Sequence, residues 1–345
     1  MAINSEHNER EGEAPIGLCP LEGATRAPIK KPLQLDLALG GQAVIEGVMI
    51  RSPHFITIAL RKKNGEIKIK KESFISLSKK IPILGLPVVR GIVTIFEMMI
   101  IGMKAINYSA EESLEDDEET PHAVPPQKTK LQNALDALSF GVSIVISLAF
   151  ALFLFKFVPL FITTQLEKII PVVERNFFIF NSIDGVIRIS LFLLYVYTLS
   201  KWRYFSRVFE YHGAEHQAVF AYEKGKPLTP EHVGAESPCH PRCGTSFIMV
   251  VLVVSIVFFT FMPKQSTLLL TFLYRLSIVP LIAAVGYEIL KWSAKYQNHF
   301  ITRLISKPGL LTQRITTARP DEQQIEVAIA AVQTAVDLEN ERKTT

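Results

Sequence analysis

His212 and His216 stand four residues apart in the stretch Phe209-Glu210-Tyr211-His212-Gly213-Ala214-Glu215-His216. On a helix that spacing puts both imidazoles on one face, where they can share a metal ion, with Glu215 at the edge of the same face. His-x-x-Glu-His is an order in which two histidines hold zinc and the glutamate activates a water. The bland alternative is a polar helix surface or a helix cap. A third ligand has two possible sources. One is Glu288 in Gly286-Tyr287-Glu288; the other is Cys239-His240-Pro241-Arg242-Cys243, whose thiols and imidazole suit zinc. Histidines and cysteines together describe a closed structural site, whereas two histidines with Glu288 leave a position open for water.

A second run, Gly40-Gly41-Gln42-Ala43-Val44-Ile45-Glu46-Gly47-Val48-Met49, is either a tight turn that presents Glu46 or Arg51 to a ligand or a bulged strand with glycine where backbones approach closely. It lacks the spacing and the Gly-Lys-Ser/Thr ending of a phosphate loop. Asp184, Arg188, Arg275 and Lys156 fall inside apolar stretches, where ionisable groups are functional candidates. Most lie close enough to a boundary to snorkel, and Asp184 with Arg188 has the spacing of a helical ion pair.

The elements that must position these residues follow from composition. Of 345 residues, 48% are hydrophobic and 20% charged, and the mean hydropathy is +0.25. This excludes a disordered chain, a collagen-like repeat and a disulfide-rich secreted scaffold, and it places part of the chain in lipid and part in water. Four stretches approach the length of about 20 residues that a bilayer-crossing helix needs: Ser139 to Thr163, Ser182 to Leu199, Ser246 to Met262 and Thr267 to Leu290. Basic residues crowd the connection between the second and third (Lys201, Arg203, Arg207, Lys224, Lys226, Arg242) and the segment after the fourth (Lys291, Lys295, Arg303, Lys307, Arg314, Arg319). Both termini and the long middle loop are therefore expected in the cytoplasm. Ile81 to Met103 is also apolar, but it carries Arg90 and Glu97 and reads as an interfacial or re-entrant helix.

Alternation at Ile56, Ile58 and Leu60, then at Ile67 and Ile69, flanks Asn64-Gly65 and predicts a hairpin closed by a type I′ turn. Pro320 and Asp321 open a helix whose apolar positions Ile325, Ala328, Ile329, Val332 and Val336 share a face, as in a helix that docks on the hairpin unit. The chain thus divides into a disordered tail (1–38), a cytoplasmic hairpin unit with the interfacial helix (39–110), an acidic and Pro-rich linker (111–130), two spans (131–200), the loop with both motifs (201–245), two more spans (246–291) and a cytoplasmic C-terminal segment with the docking helix (292–345). The three cysteines form no disulfide framework, and reduced thiols or a metal site are expected. The first residues lack the apolar core of a signal peptide, so internal segments are expected to drive insertion.

Charge points the same way. Residues 111–119 hold seven of the 33 acids, which hides the basic excess of the remainder behind a net charge of +4. Those basic residues border the spans and no aromatic-basic module accompanies them, so no nucleic-acid partner is expected; the bilayer is the partner.

GGQAVIEGVMIRSP, VVRGIVTIFEMMIIGMKAINYSA, YHGAEHQAVFAYE, HPRCGTSF, GYEI and PGLLTQRITTARPDEQQIEVAIAA, met in this order between about Leu39 and Val336, resemble the YqhQ-like family of bacterial membrane proteins, domain of unknown function 1385. The resemblance implies a membrane protein regarded as a metal-dependent enzyme and places His212, Glu215, His216, His240, Cys243 and Glu288 in the family's motifs, with Cys239 outside them. It implies no substrate. The expectation is an α-helical inner-membrane protein of about four spans with a small cytoplasmic α+β unit. It would be a zinc-dependent hydrolase at the cytoplasmic face, with Glu215 as base, His212 and His216 as ligands, and Glu288 or the His240/Cys243 pair completing the shell. A non-catalytic scaffold or assembly factor stapled by a structural metal is the alternative, and a transporter the third.

Overall fold

The computed structural model describes residues 39–115, 130–263, 265–296 and 299–344. The expected tail and most of the acidic linker lie outside them. Four strands, β1 (Gly40–Val44), β2 (Gly47–Arg51), β3 (Phe55–Arg61) and β4 (Ile67–Ser73), form an antiparallel meander in sequence order. The helices follow: α1 (Leu77–Lys80), α2 (Val89–Glu115), α3 (Lys130–Leu152), α4 (Val158–Glu167), α5 (Pro171–Arg175), α6 (Phe177–Ser200), α7 (Arg203–Glu223), α8 (Pro230–Gly234), α9 (Gly244–Thr260), α10 (Leu268–Lys295), α11 (Phe300–Thr316) and α12 (Glu322–Thr344).

The β3–β4 connection differs from the expected type I′ turn, which needs positive φ at both central residues. Here only Gly65 has it (φ 87°), Gly65 N donates to Lys62 O at 2.9 Å, and Asn64 Oδ1 accepts from Glu66 N. Asn64 caps the loop with its side chain and keeps negative φ; the left-handed residue comes one place later, as in longer hairpin loops.

The sheet is covered on both faces. Val44, Met49, Ile58 and Leu60 pack with Ala105 and Met98 of α2, while Val48, Ile50 and Ala59 pack with Tyr211, Ala214 and Ala218 of α7 and with Ala328, Ala331 and Val332 of α12. Thr57 Oγ1 donates to Ala331 O at 2.9 Å, and the carboxylate of Glu339 accepts from Ser52 Oγ and His54 N, each at 2.7 Å. Alternate residues of one strand therefore serve two different helix layers, which explains why β3 is buried along most of its length.

Three described segments are long and apolar enough to cross a membrane: Gly141–Glu167, Phe177–Ser200 and Leu268–Ser293. The first joins α3 and α4 through a π-helical turn at Phe153–Phe157. The expected third span is α9, of 17 residues. At 1.5 Å per residue it covers roughly 26 Å, less than a typical hydrocarbon core. The reason lies at Phe261, whose N–H bonds back to Phe258 O and closes the helix.

The segment expected to lie at the interface enters α2 after a short 3-10 turn at Pro82–Gly85. Its charges are matched within the protein. Glu97 accepts from Ser76 Oγ at 2.7 Å and Leu77 N at 2.5 Å, and Arg90 grips Glu288. Phe96, Met99 and Ile100 remain exposed on its outer side. The helix also runs on through Glu115, so the first residues of the expected linker are its last turn; Glu112 there accepts from Lys68 Nζ at 2.6 Å.

The charges expected to snorkel from the apolar helices do not. Asp184, Arg188 and Arg275 are buried among α6, α9 and α10. Gly185 lets Ile256 close on the backbone of α6, and at that spacing the charged positions face each other instead of a boundary.

Candidate functional site

The apolar helix α6 ends at Ser200, and a short turn through Lys201-Trp202 leads into α7. That helix carries the sequence motif where its turns are almost wholly buried, from Gly213 to Tyr222. His212 and His216, one turn apart, lie with ring centroids 4.4 Å apart and planes inclined at 57°. Cys243 reaches them from the N-terminus of α9, where its sulfur accepts from Thr245 N. One ligand atom from each of His212, His216 and Cys243 lies within 4.8 Å of the others, and His212 Nε2 is 3.1 Å from Cys243 Sγ.

Backbone carbonyls fix both imidazoles. His212 Nδ1 is 2.9 Å from Thr316 O, and His216 Nδ1 is 2.6 Å from Pro238 O. A carbonyl accepts only, so both Nδ1 atoms carry the proton and both Nε2 atoms are left to bind an ion or accept a proton. The donor set therefore fits a transition metal: two oriented imidazoles and a thiolate, with three protein ligands as at open zinc sites.

Electrostatics couple the three. Burial opposes the thiolate of Cys243, yet the imidazoles of His212 and His216 hold the thiol well below its ordinary value. Burial likewise opposes the charge on His212, but the neighbouring Cys243 sulfur lifts its pKa to about 9. Glu215 is 5% exposed, and burial pushes its carboxyl upward against the pull of His216 and His212. Its Oε2 lies 3.6 Å from His216 Nε2. A Cβ on Gly41 would sit 2.8 Å from Glu215 Oε1, so β1 passes the carboxylate with no side chain in between.

His240 stands behind the cluster, its ring centroid 5.7 Å from that of His216. Both of its nitrogens are engaged. Arg242 N donates to Nδ1 at 3.3 Å, and Nε2 lies 3.2 Å from Glu223 Oε2, whose other oxygen Arg242 holds. Burial lowers the pKa of His240 in spite of Glu223. Gln313 clamps the same residue: its Oε1 accepts from His240 N and its Nε2 donates to His240 O, each at 2.7 Å. His240, Arg242, Glu223 and Gln313 thus fix the loop that delivers Cys243.

The structure does not bring Glu288 to the histidines. Arg90 Nε and an Arg90 terminal nitrogen hold its two oxygens at 2.7 and 2.5 Å in the interface of α2 and α10. Cys239 does not join the cluster; its sulfur lies 3.8 Å from Thr317 Oγ1. Glu46 occupies a turn between β1 and β2 with φ 52°, and its carboxylate is held by Arg207 and by Tyr211 Oη at 3.2 Å. Arg51 lies over the ring of Phe74 and against Met98 Sδ.

Several participants carry no recognisable signal of their own in the sequence. Thr316 and Gln313 come from α11, which passes α9 where Gly309 admits Ser246. Gly213 does the same for the chain after α11, since a Cβ there would collide with Ala318 O. Their only sequence trace is the run PGLLTQRITTARP quoted above.

The chain is thus mostly helical, with three described helical segments long and apolar enough to cross a membrane, a small four-stranded sheet, and a His–His–Cys cluster that is a candidate metal or thiol centre. A family model described as "Protein of unknown function (DUF1385)" matches residues 86–338. The chain is 33% identical over 307 residues to "Uncharacterized protein YqhQ" of Bacillus subtilis strain 168, an alignment that covers 88% of this chain and 93% of that one. The chain belongs to the DUF1385, YqhQ-like family. No solved structure matches it.

Proposed function

We propose that this protein is a metal-dependent enzyme of the bacterial inner membrane, with zinc held by His212 Nε2, His216 Nε2 and Cys243 Sγ, acting as a hydrolase on an amphipathic or protein substrate at the cytoplasmic face. The observation that supports this reading is the convergence of three donor atoms within 4.8 Å, with both imidazoles turned by backbone carbonyls so that Nε2 faces inward. Bound zinc would supply Lewis-acid activation of water at the position the protein leaves open. The rest belongs to the side chains. Thr316 and Pro238 hold the imidazoles in register, Cys243 is fixed by the first turn of α9, and Glu215 is placed to accept and return a proton at Oε2. Basic residues in the 201–242 and 291–319 segments support a cytoplasmic location for this end of the helices; both termini share that side only if the 17-residue α9 crosses as a fourth segment beside the three longer ones.

Metal analysis of purified protein tests the reading. Stoichiometric zinc is expected in the wild type and none in His212→Ala or His216→Ala; a wild type without any transition metal sinks it. Glu215→Gln then separates enzyme from scaffold. A variant that keeps metal, fold and cellular role shows that Glu215 is not a base and that the metal only staples the α7–α9 loop.

The His212 Nε2 to Cys243 Sγ distance of 3.1 Å favours a second reading, a metal-free thiolate–imidazolium pair with Cys243 as nucleophile. Iodoacetamide decides between them. Fast alkylation of Cys243 in protein as isolated favours the thiol nucleophile, whereas alkylation only after chelation favours the metal.

A further inference from the structure

Three cations of the apolar helices point at one aromatic ring. Lys156 Nζ, the Arg188 guanidinium and the Arg275 guanidinium lie 5.3, 5.1 and 4.9 Å from the centroid of Phe259. A single carboxylate accompanies them: Asp184 Oδ2 takes Arg188 at 2.5 Å and Arg275 at 3.1 Å. Asn181 Oδ1 accepts from Arg275 at 2.5 Å, and Ser255 Oγ from Arg188 at 3.0 Å. Lys156 has no ion pair among the described residues. With all side chains ionised the cluster carries an excess of two positive charges, which are costly inside an apolar bundle unless something neutralises them.

The space to hold a neutraliser is present. Lys156, Arg188 and Arg275 line a cavity of about 10 Å³, walled otherwise by Leu160, Phe259, Phe272 and Leu276. That volume admits about one water-sized particle. Arg188, 1% exposed, leaves its Nε without a partner. The π-helical turn at Phe153–Phe157 includes Lys156, and such widened turns recur where a helix must turn a functional side chain out of α-register.

We propose that this cavity is a binding site for a small monovalent anion of the chloride class, held by Lys156, Arg188 and Arg275. The size of the cavity and the charge excess select the ligand: a phosphate group is too large, and a neutral molecule leaves the cations uncompensated. Phe259 and Phe272 form part of its apolar wall, and Asp184 holds the two arginines in place without matching the third charge. The site is independent of the His–His–Cys cluster.

The test uses the full-length protein in detergent, exchanged into gluconate and titrated with chloride at constant ionic strength. Thermal unfolding and the linewidth of the chlorine-35 resonance are read together. The wild type is expected to gain thermal stability saturably with chloride and to broaden the resonance. Lys156→Met, which breaks no ion pair, is expected to fold and to bind chloride roughly tenfold more weakly, the loss of one charge-assisted contact. Arg275→Gln is expected to abolish binding, with circular dichroism to show that it folds. Coincident chloride and gluconate curves in the wild type overturn the proposal, as does undiminished chloride binding by Lys156→Met. Stabilisation by phosphatidylglycerol vesicles but not by chloride overturns it too, in favour of a lipid headgroup.

Discussion

α6 and α12 are of similar length and each buries both apolar and polar residues, but they expose opposite kinds. α12 turns Ile325, Ala328 and Val332 inward and leaves Glu322, Glu326 and Asp337 outside, as a helix in water does. α6 buries Asn181, Asp184 and Arg188 and exposes Phe178, Val186 and Leu194. The difference is the one that water around α12 and lipid around α6 would produce. Water rewards the first arrangement through the hydrophobic effect; lipid removes that drive, and polar contacts between helices become the specific ones. α7 stands between the two regimes, polar in sequence yet buried on most sides, and it is the helix that carries the candidate site.

The contrast can be broken most severely at its centre. Asp184→Leu leaves Arg188 and Arg275 buried without a counter-charge, and a loss of about 3–5 kcal/mol is expected, read as collapse of folded yield or of the unfolding midpoint in detergent. Val186→Lys probes the outer side of the same helix. If that surface meets hydrocarbon, insertion becomes about 2.5–3.5 kcal/mol less favourable and the membrane-associated fraction falls; if it meets water, the change is within about 0.5 kcal/mol and the reading of α6 fails.

On the aqueous side, Glu339→Ala removes an acceptor from Ser52 Oγ, His54 N and His54 Nδ1, the last at 2.9 Å, and is expected to cost about 1.5–3 kcal/mol in chemical unfolding. Burial opposes ionisation of Glu339, but the hydrogen bonds from Ser52 and His54 win and hold its carboxyl below the ordinary range. Its contribution is therefore complete above the unfolded carboxylate range and lost as pH falls through the lower folded value. The difference between wild type and Glu339→Gln should shrink as unfolding is repeated from neutral pH downward. Smallest is Gly213→Ala, where a new methyl meets Ala318 O; about 1–3 kcal/mol is expected, with loss of metal if the α11 connection moves Thr316.

Much of the aqueous unit was legible because its periods are short. Alternation marked β3 and β4, and the spacing of Ile325, Ala328 and Val332 marked α12. The turn type was not, because Asn64-Gly65 suits more than one loop and register decides which. His212, Glu215 and His216 could be placed on one helix, but the third donor could not be chosen. Glu288 and Cys243 both follow from topology as neighbours of the same end, and only the arginine at position 90 removes Glu288 from contention. α11 was missed although its apolar positions share a face: Pro308 sits inside the helix, the apolar face (Phe300, Ile301, Leu304, Leu311) is exposed, and the buried side is polar (Thr302, Thr312, Gln313, Thr316).

The sequence by itself determined which segments suit lipid, the hairpin and docking helix, and the pairing of two histidines one turn apart, since these depend on local period and composition. Tertiary structure alone decided which distant side chains meet. It brought Cys243 to His212, turned both imidazoles with the carbonyls of Thr316 and Pro238, gave Glu288 to Arg90, and drew Lys156, Arg188 and Arg275 around Phe259. The reason is physical: a period fixes the face a residue occupies, whereas its partner depends on close approach between backbones. Here Gly41, Gly185 and Gly213 permit that approach, and at Gly185 and Gly213 nothing local in the sequence announces it.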